Sequence, residues 1–468
     1  MTPLPQDFVS AMRPLLGSEA EAFFAALDSP APVSIRRNPN KPGIGTTVMD
    51  LPTNKSVPWC PLGTYLAERP SFTNDPVFHA GGYYVQEASS MFLWQLKPLL
   101  GESPVRALDL CASPGGKSTL LTNILPEGSV LVSNEVIHHR ANILAENMIK
   151  WGYPTGIVTE ADPDRLKSAG ETFDFILVDA PCSGEGMFRK DEAARSEWSL
   201  QNVELCARRQ QRILSAAWEM LQPGGLLAYS TCTFNTLENE DNLAFLIDTF
   251  GAEPVALDVL TEWQIAPQLK GEAPAYRFFP HKVAGEGFFF CLVRKPERES
   301  VRHKQPKSKE KKNAEKHIPH GIKCFVHAPE KYEWRWMGDE YVHALTPNVL
   351  ETVECLKANG IRLHTAGITV GMQKGKDLVP APALALSTEM DDHSFFDMEF
   401  SRDEALSYLA RQSVTTMPDL PLGFVLATFR RRPLGFLKNL GTRANNLYPQ
   451  DWRIRNLETS EDCMAAKD

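Results

Sequence analysis

The feature that most constrains this chain is an alternation of apolar runs and helical patterns between Val105 and Lys295. VRALDLCA reads as a strand and GKSTLLTNIL as the helix after it. SVLVSNE and HHRANILAENMIKW repeat the unit. GIVTEAD and FDFILVDAP are further strands, LCARRQQRILSAAWEML is a long helix, GGLLAYSTC is a strand, and FFFCLVRK closes the series. Strands that are apolar throughout are buried on both faces, and helices between them make the sheet parallel. The expected fold class is α/β, a doubly wound Rossmann-like domain over residues 101–296.

The flanks read differently. Residues 1–100 form an N-terminal extension, taken as an RNA-recognition region. In it Phe8 to Leu27 has the pattern of one amphipathic helix, Ser34 to Lys41 (SIRRNPNK) is basic and extended, and Val57 to Met91 is dense in turn residues. Residues 297–319 read as a basic linker: from Val301 to His317 there are seven Lys/Arg against two Glu and almost no large apolar side chains. An intermediate α+β domain is expected at 320–395. A β-rich region at 396–468 contains a helical stretch from Arg402 to Arg411 and two or three short strands.

A net charge of −9 over 468 residues does not mark a nucleic-acid binder, so that reading has to rest on local basic patches. Nine cysteines with no C-x-x-C pair argue against a disulfide framework or a structural zinc site, and no metal is expected. The N-terminus lacks a signal-peptide pattern and no apolar run is long enough to span a bilayer. The expectation is a cytoplasmic monomer.

Ligands of an open parallel sheet sit beyond the carboxyl ends of its strands. The first strand ends at Asp109 and leads into Cys111, Ala112, Ser113, Pro114, Gly115, Gly116 and Lys117. Two glycines before a helix allow close backbone approach, and the helix N-terminus favours a carboxylate. The phosphate-loop spacing G-x-x-x-x-G-K-[ST] is absent. Glu135 ends the second strand, where an acid can hold both ribose hydroxyls. Asp162 follows the third, near an adenine amino group or as a helix cap, and Asp179 ends the fourth. Acids at successive strand ends suit an adenosine ligand that carries a positive charge.

Cys182 follows the fourth strand and Cys232 a later one, on the same side of the sheet. A buried cysteine is usually an inert small hydrophobe, and Cys111 reads as packing beneath the loop. Two cysteines at neighbouring strand ends beside a methyl donor fit a specific need. Carbon 5 of a pyrimidine is a poor nucleophile until a thiolate adds to carbon 6. A second cysteine can assist release, and Asp179 can hydrogen-bond the ring at N3.

LDLCASPGGKS, VDAPCSGEGMF and YSTCTFNTLENEDN resemble the three signature motifs of the Sun-type RNA 5-methylcytosine methyltransferases. RRNPNK, YYVQEASSM and PHKVAGEGFFFCLVRK extend the resemblance over roughly residues 30–295. It implies S-adenosylmethionine as cofactor, held by Cys111 through Lys117, Glu135, Asp162 and Asp179. It further implies Cys232 as nucleophile, Cys182 in product release, and Lys117 near the catalytic Asp179.

The tail LGFLKNLGTRANNLYPQDWRIR is similar to the PUA-like RNA-binding module of one bacterial branch that modifies 16S ribosomal RNA of the small subunit. That similarity implies ribosomal RNA as partner. Arg37, Lys438, Arg443, Tyr448 and Arg453 are the candidate RNA contacts, within a basic and aromatic set that includes Arg430, Arg431, Arg432 and Trp452. Three rival readings remain open. A tRNA cytosine methyltransferase differs only in the tail. An exocyclic-nitrogen methyltransferase would carry Asp/Asn-Pro-Pro-aromatic where Asp179-Ala180-Pro181-Cys182 stands. A non-catalytic ribosome-assembly factor would have lost Cys232 or an acid of the donor site.

Overall fold

The computed structural model describes residues 2–41, 53–297, 318–319, 321–338, 340–375, 377–415 and 420–457. All but the ends of the expected basic linker lies outside these residues.

The central sheet forms as the apolar runs require. Seven of its ten strands, numbered along the chain, are β1 (Arg106–Asp109), β2 (Val130–Asn134), β3 (Gly156–Glu160), β4 (Phe173–Asp179), β5 (Leu221–Thr231), β6 (Phe288–Arg294) and β7 (Arg362–Ala366). The spatial order is β6-β5-β4-β1-β2-β3-β7. The run from β5 to β3 is parallel, while β6 and β7 pair antiparallel on its two sides and Tyr276–Phe278 continues the sheet beyond β6. Successive residues feed opposite cores. Leu108, Val132, Ile157 and Ile176 pack on one face. Ala107, Leu131, Val158 and Phe175 pack on the other. This period of two explains why each strand is apolar throughout. Helices α1 (Gly116–Ile124), α2 (His138–Trp151) and α3 (Leu200–Met220) are among those that cover the sheet. β1 pairs with both β2 and β4, so the topological switch lies at its carboxyl end.

Two expectations are corrected. The segment from Phe8 to Leu27 is not one helix. Gln6–Leu16 and Ala20–Leu27 are separated by a 3₁₀ turn at Gly17–Glu19, with Gly17 at φ 55°. The break lets Phe8 bury against Phe188 and Trp198, which follow the strand end bearing Cys182, and Phe23 against Phe279 and Phe234, the latter following the strand end bearing Cys232. The segment 320–395 is also not separate from the central sheet. Its strand β7 pairs with β3, with Arg362 opposite Glu160 and Ala366 opposite Ile157. Glu160 Oε2 ties this join by accepting from His138 at 2.8 Å and from His364 at 2.7 Å.

Among the described residues, three four-stranded sheets accompany the central one. The N-terminal one contains Val33–Arg37 and Tyr83–Val85. The C-terminal one contains Phe396–Glu399, Gly423–Phe429, Arg432–Asn439 and Ala444–Asn446. These two share a core in which Ile35, Val77 and Tyr83 meet Met398, Tyr408 and Tyr448. No helix among the described residues is long and apolar enough to cross a membrane.

Candidate active site

The loop after β1 and the loops after β4 and β5 converge at the switch point. Cys182 Sγ lies 3.1 Å from Cys232 Sγ. A disulfide is close to 2 Å, so the two sulfurs touch without being bonded. Both cysteines are partly buried and free. The hydrogen bond to Cys232 is the main reason that the Cys182 thiol titrates well above the ordinary cysteine value, and burial adds to it. Cys182 therefore keeps its proton and can donate it toward Cys232.

Beside the sulfurs stands a polar chain. Lys117 Nζ donates to Asp179 Oδ2 at 2.7 Å, and Ser230 Oγ donates to Asp179 Oδ1 at 2.7 Å. Burial works against the Lys117 ammonium, but the surrounding Asp179, Cys232 and Asp109 outweigh it and raise its pKa above the usual lysine value. Lys117 thus stays charged, with its Nζ 5.4 Å from the Phe288 ring centroid.

Backbone approach and buried acids hold the cysteine loops. Gly186 donates its N–H to the Cys232 carbonyl at 2.8 Å. A Cβ on Gly186 would lie 2.6 Å from that oxygen, so only glycine permits the contact. Glu185 is fully buried and accepts from Phe234 N at 2.6 Å, Asn235 N at 2.9 Å, Asn235 Nδ2 at 2.9 Å and Trp198 Nε1 at 3.1 Å. Glu238, also fully buried, accepts from Ser183 N at 3.0 Å, Gln210 Nε2 at 2.7 Å and Asn235 Nδ2 at 2.8 Å. The two glutamates cross-link the loop carrying Cys182 to the loop carrying Cys232.

On the donor side, Gly115 has φ +112° and precedes α1, a left-handed position that glycine adopts without strain. Ser118 Oγ donates to Asp109 Oδ2 at 2.7 Å, while Asp109 Oδ1 is buried with no hydrogen-bond partner. Burial pushes the Asp109 carboxyl up to about 7, with Asp179 adding to the rise. Glu135 is 4% exposed, accepts from Ile137 N at 3.0 Å and lies 3.5 Å from Arg140 Nη2. An unpartnered buried acceptor, an open glycine turn and acids at neighbouring strand ends fit a cationic adenosine donor. Cys111 packs against the core below the loop, and burial raises its thiol pKa.

Asp162 fills the alternative role left open from sequence. It caps the helix Pro163–Lys167 through Asp164 N, and Arg212 engages both its oxygens at 3.2 and 3.0 Å. The tail requires a correction. Tyr448 is 1% exposed and packs in the core against Tyr408, with its hydroxyl 3.3 Å from His79 Nδ1, so its ring is closed to a base. Arg432 is buried too. Arg443 and Arg453 are exposed, Lys438 is half-buried with Nζ over Phe424, and Arg37 is half-buried. Sequence reasoning counted Asp109 only among the acids at strand ends and gave no role to Ser230, Glu185 or Glu238. All four lie in or beside the motifs, but no spacing rule separates a carboxylate that clamps loops from one that faces solvent.

Family models match three stretches of the chain: 16S rRNA methyltransferase RsmB/F over residues 95–294, the N-terminal domain of 16S rRNA methyltransferase RsmF over 4–88, and the RsmF PUA domain over 395–454. The ribosomal RNA small subunit methyltransferase F of Cronobacter sakazakii is 30% identical, with 96% of each chain covered. The protein of the same name from Escherichia coli is 29% identical, again over 96% of each. Among solved structures, a methyltransferase homologue from Pyrococcus horikoshii is 28% identical with a TM-score of 0.53, covering 62% of this chain and 95% of the other. NSun6 from the same organism, solved with SFG, shares the fold at 22% identity and a TM-score of 0.55, covering 63% and 99%.

Proposed function

The chain belongs to the ribosomal RNA small subunit methyltransferase F family, and from that premise we propose that it methylates carbon 5 of a cytosine in 16S ribosomal RNA, with Cys232 as covalent nucleophile. The observation that carries this reading is the 3.1 Å contact between Cys182 and Cys232 beside the Lys117–Asp179–Ser230 chain. A methyltransferase acting on an exocyclic nitrogen has no use for paired sulfurs at this position.

S-adenosylmethionine, the donor of this family, supplies an electrophilic methyl group. The residues suited to hold it are the loop from Cys111 to Lys117, Glu135 and Asp179, with Asp162 at the rim. Cys232 adds as thiolate to carbon 6 of a base flipped from its stack, which moves electron density to carbon 5. Asp179, fixed by Lys117 and Ser230, is placed to accept a hydrogen bond from N3, which takes up a proton from water as negative charge builds there and gives it back when Cys232 departs. After carbon 5 is methylated its proton passes to water, the electron pair of that C–H bond restores the C5–C6 double bond, and the C6–S bond breaks so that Cys232 departs as thiolate. The Cys182 thiol, held protonated, stabilises that leaving sulfur by hydrogen bonding.

The test supplies labelled S-adenosylmethionine with 30S subunits, naked 16S RNA or tRNA, and identifies the labelled nucleoside. The expected product is 5-methylcytosine in 16S RNA. Label in tRNA alone would keep the chemistry and overturn the substrate. Label in an N-methylated base would overturn the chemistry.

A further inference from the structure

The N-terminal sheet reaches the donor loop through two neighbouring side chains. Arg36 and Tyr84 are cross-strand partners on Val33–Arg37 and Tyr83–Val85. Tyr84 donates its hydroxyl to the Pro114 carbonyl at 3.1 Å. Arg36 is fully buried and sends its guanidinium into the first turns of α1. Nη2 donates to Gly116 O at 3.2 Å and to Thr119 Oγ1 at 2.6 Å, while Nη1 donates to Thr119 O at 3.3 Å and to Asn123 Oδ1 at 2.7 Å. Nε donates to Gln86 Oε1 at 2.7 Å, and the guanidinium lies 4.5 Å from the Trp151 ring. Thr119 Oγ1 in turn donates to Gly115 O at 2.8 Å.

None of these hydrogen bonds goes to a carboxylate. Burying an arginine without an acid is costly, and a fork that serves carbonyls and hydroxyls is worth that cost only if it holds them in place. It holds the Gly116 carbonyl of the glycine turn directly and the Thr119 carbonyl one turn further along α1, and the residue after Gly116 is Lys117, which orients Asp179.

We infer that the Arg36–Tyr84 pair is a positioning device for the methyl donor: the N-terminal module builds the back wall of the donor pocket by gripping the carbonyls of Pro114 and Gly116 and, through Thr119, that of Gly115. Neither side chain touches the reacting atoms. The inference rests on the reading that the donor lies against the loop from Cys111 to Lys117.

The experiment uses the full chain and the variants Arg36→Lys and Tyr84→Phe. It measures the Kd for S-adenosylhomocysteine by calorimetry and amide hydrogen exchange at Gly115–Ser118 in donor-free protein. Arg36→Lys is expected to weaken binding about tenfold and Tyr84→Phe by a few fold, with faster exchange at those amides in both. A purely structural role would lower the unfolding temperature yet leave the Kd of folded protein unchanged. Tyr84→Phe removes one hydroxyl and keeps the test valid if Arg36→Lys does not fold. Wild-type Kd and exchange in Tyr84→Phe, and in Arg36→Lys where it folds, would overturn the inference. Wild-type protein whose loop amides gain no protection from S-adenosylhomocysteine would overturn the donor-loop reading beneath it.

Discussion

Cys182 and Cys232 follow adjacent parallel strands, and their sulfurs meet at 3.1 Å. Neither loop sets that distance alone. It results from Glu185 and Glu238, which collect N–H donors from both loops, and from Gly186, which lets the loop after Cys182 lie on the Cys232 carbonyl. The site is a product of sheet topology, with the reactive groups added at the strand ends.

The Asp179 carboxylate is held from both sides, and the two holders are expected to differ in weight. Ser230→Ala removes one hydrogen bond and should lower the single-turnover rate roughly tenfold. Lys117→Met removes the charged partner and should lower it on the order of 10²–10³-fold. Wild-type rates in both variants would show that the carboxylate needs no such orientation.

Stability is expected to fall in mild acid because of His79. Burial is the main reason its pKa is lowered to about 3, with the nearby Lys150 charge second. The unfolded chain takes up a proton as pH drops through about 6.5, and the folded chain refuses it until about pH 3, so stability is lost across that window as pH falls. His343, lowered to about 4 by burial, acts with the same sign. His79→Gln should flatten the dependence by up to about 1.4 kcal/mol per pH step, read from unfolding temperatures between pH 7.5 and 5. An unchanged slope would contradict a buried neutral His79.

In the tail, exposed and buried candidates separate cleanly. Arg443→Ala and Arg453→Ala should each weaken RNA binding and reduce the salt dependence of log K by about 0.7–0.9. Tyr448→Phe should leave RNA affinity unchanged, while Tyr448→Ala should cost about 3–5 kcal/mol of stability. Filter binding over a salt series decides this. A loss of affinity in Tyr448→Phe with normal stability would place that hydroxyl at the RNA after all.

The parallel sheet was legible because each strand from Val105 onward is apolar on both faces, and the helices between them have their own period. The loop glycines, Asp179 and both cysteines could be picked out because they coincide with strand ends, whereas Lys117 was set near Asp179 only by the family resemblance. Tyr448 was misread because a basic and aromatic segment does not reveal which ring turns inward: in the chain it sits among exposed arginines, in space against Tyr408 and His79. The attachment of β7 to β3 escaped notice because Arg362–Ala366 and Gly156–Glu160 are far apart in the chain and carry no mutual signal. Glu185 and Glu238 look like surface acids until their donors arrive from three other segments. Asp162 could be read two ways; it caps the helix Pro163–Lys167 through Asp164 N, and Arg212, fifty residues on, engages its carboxylate.

The most direct test of the covalent account is a denaturing gel of Cys182→Ala protein incubated with 16S RNA and S-adenosylmethionine. Without the Cys182 thiol to stabilise the departing sulfur, the account predicts a protein–RNA band that survives denaturation and is absent from Cys182→Ala/Cys232→Ala. Full turnover by Cys232→Ala, or an equally stable band in the double variant, would contradict it.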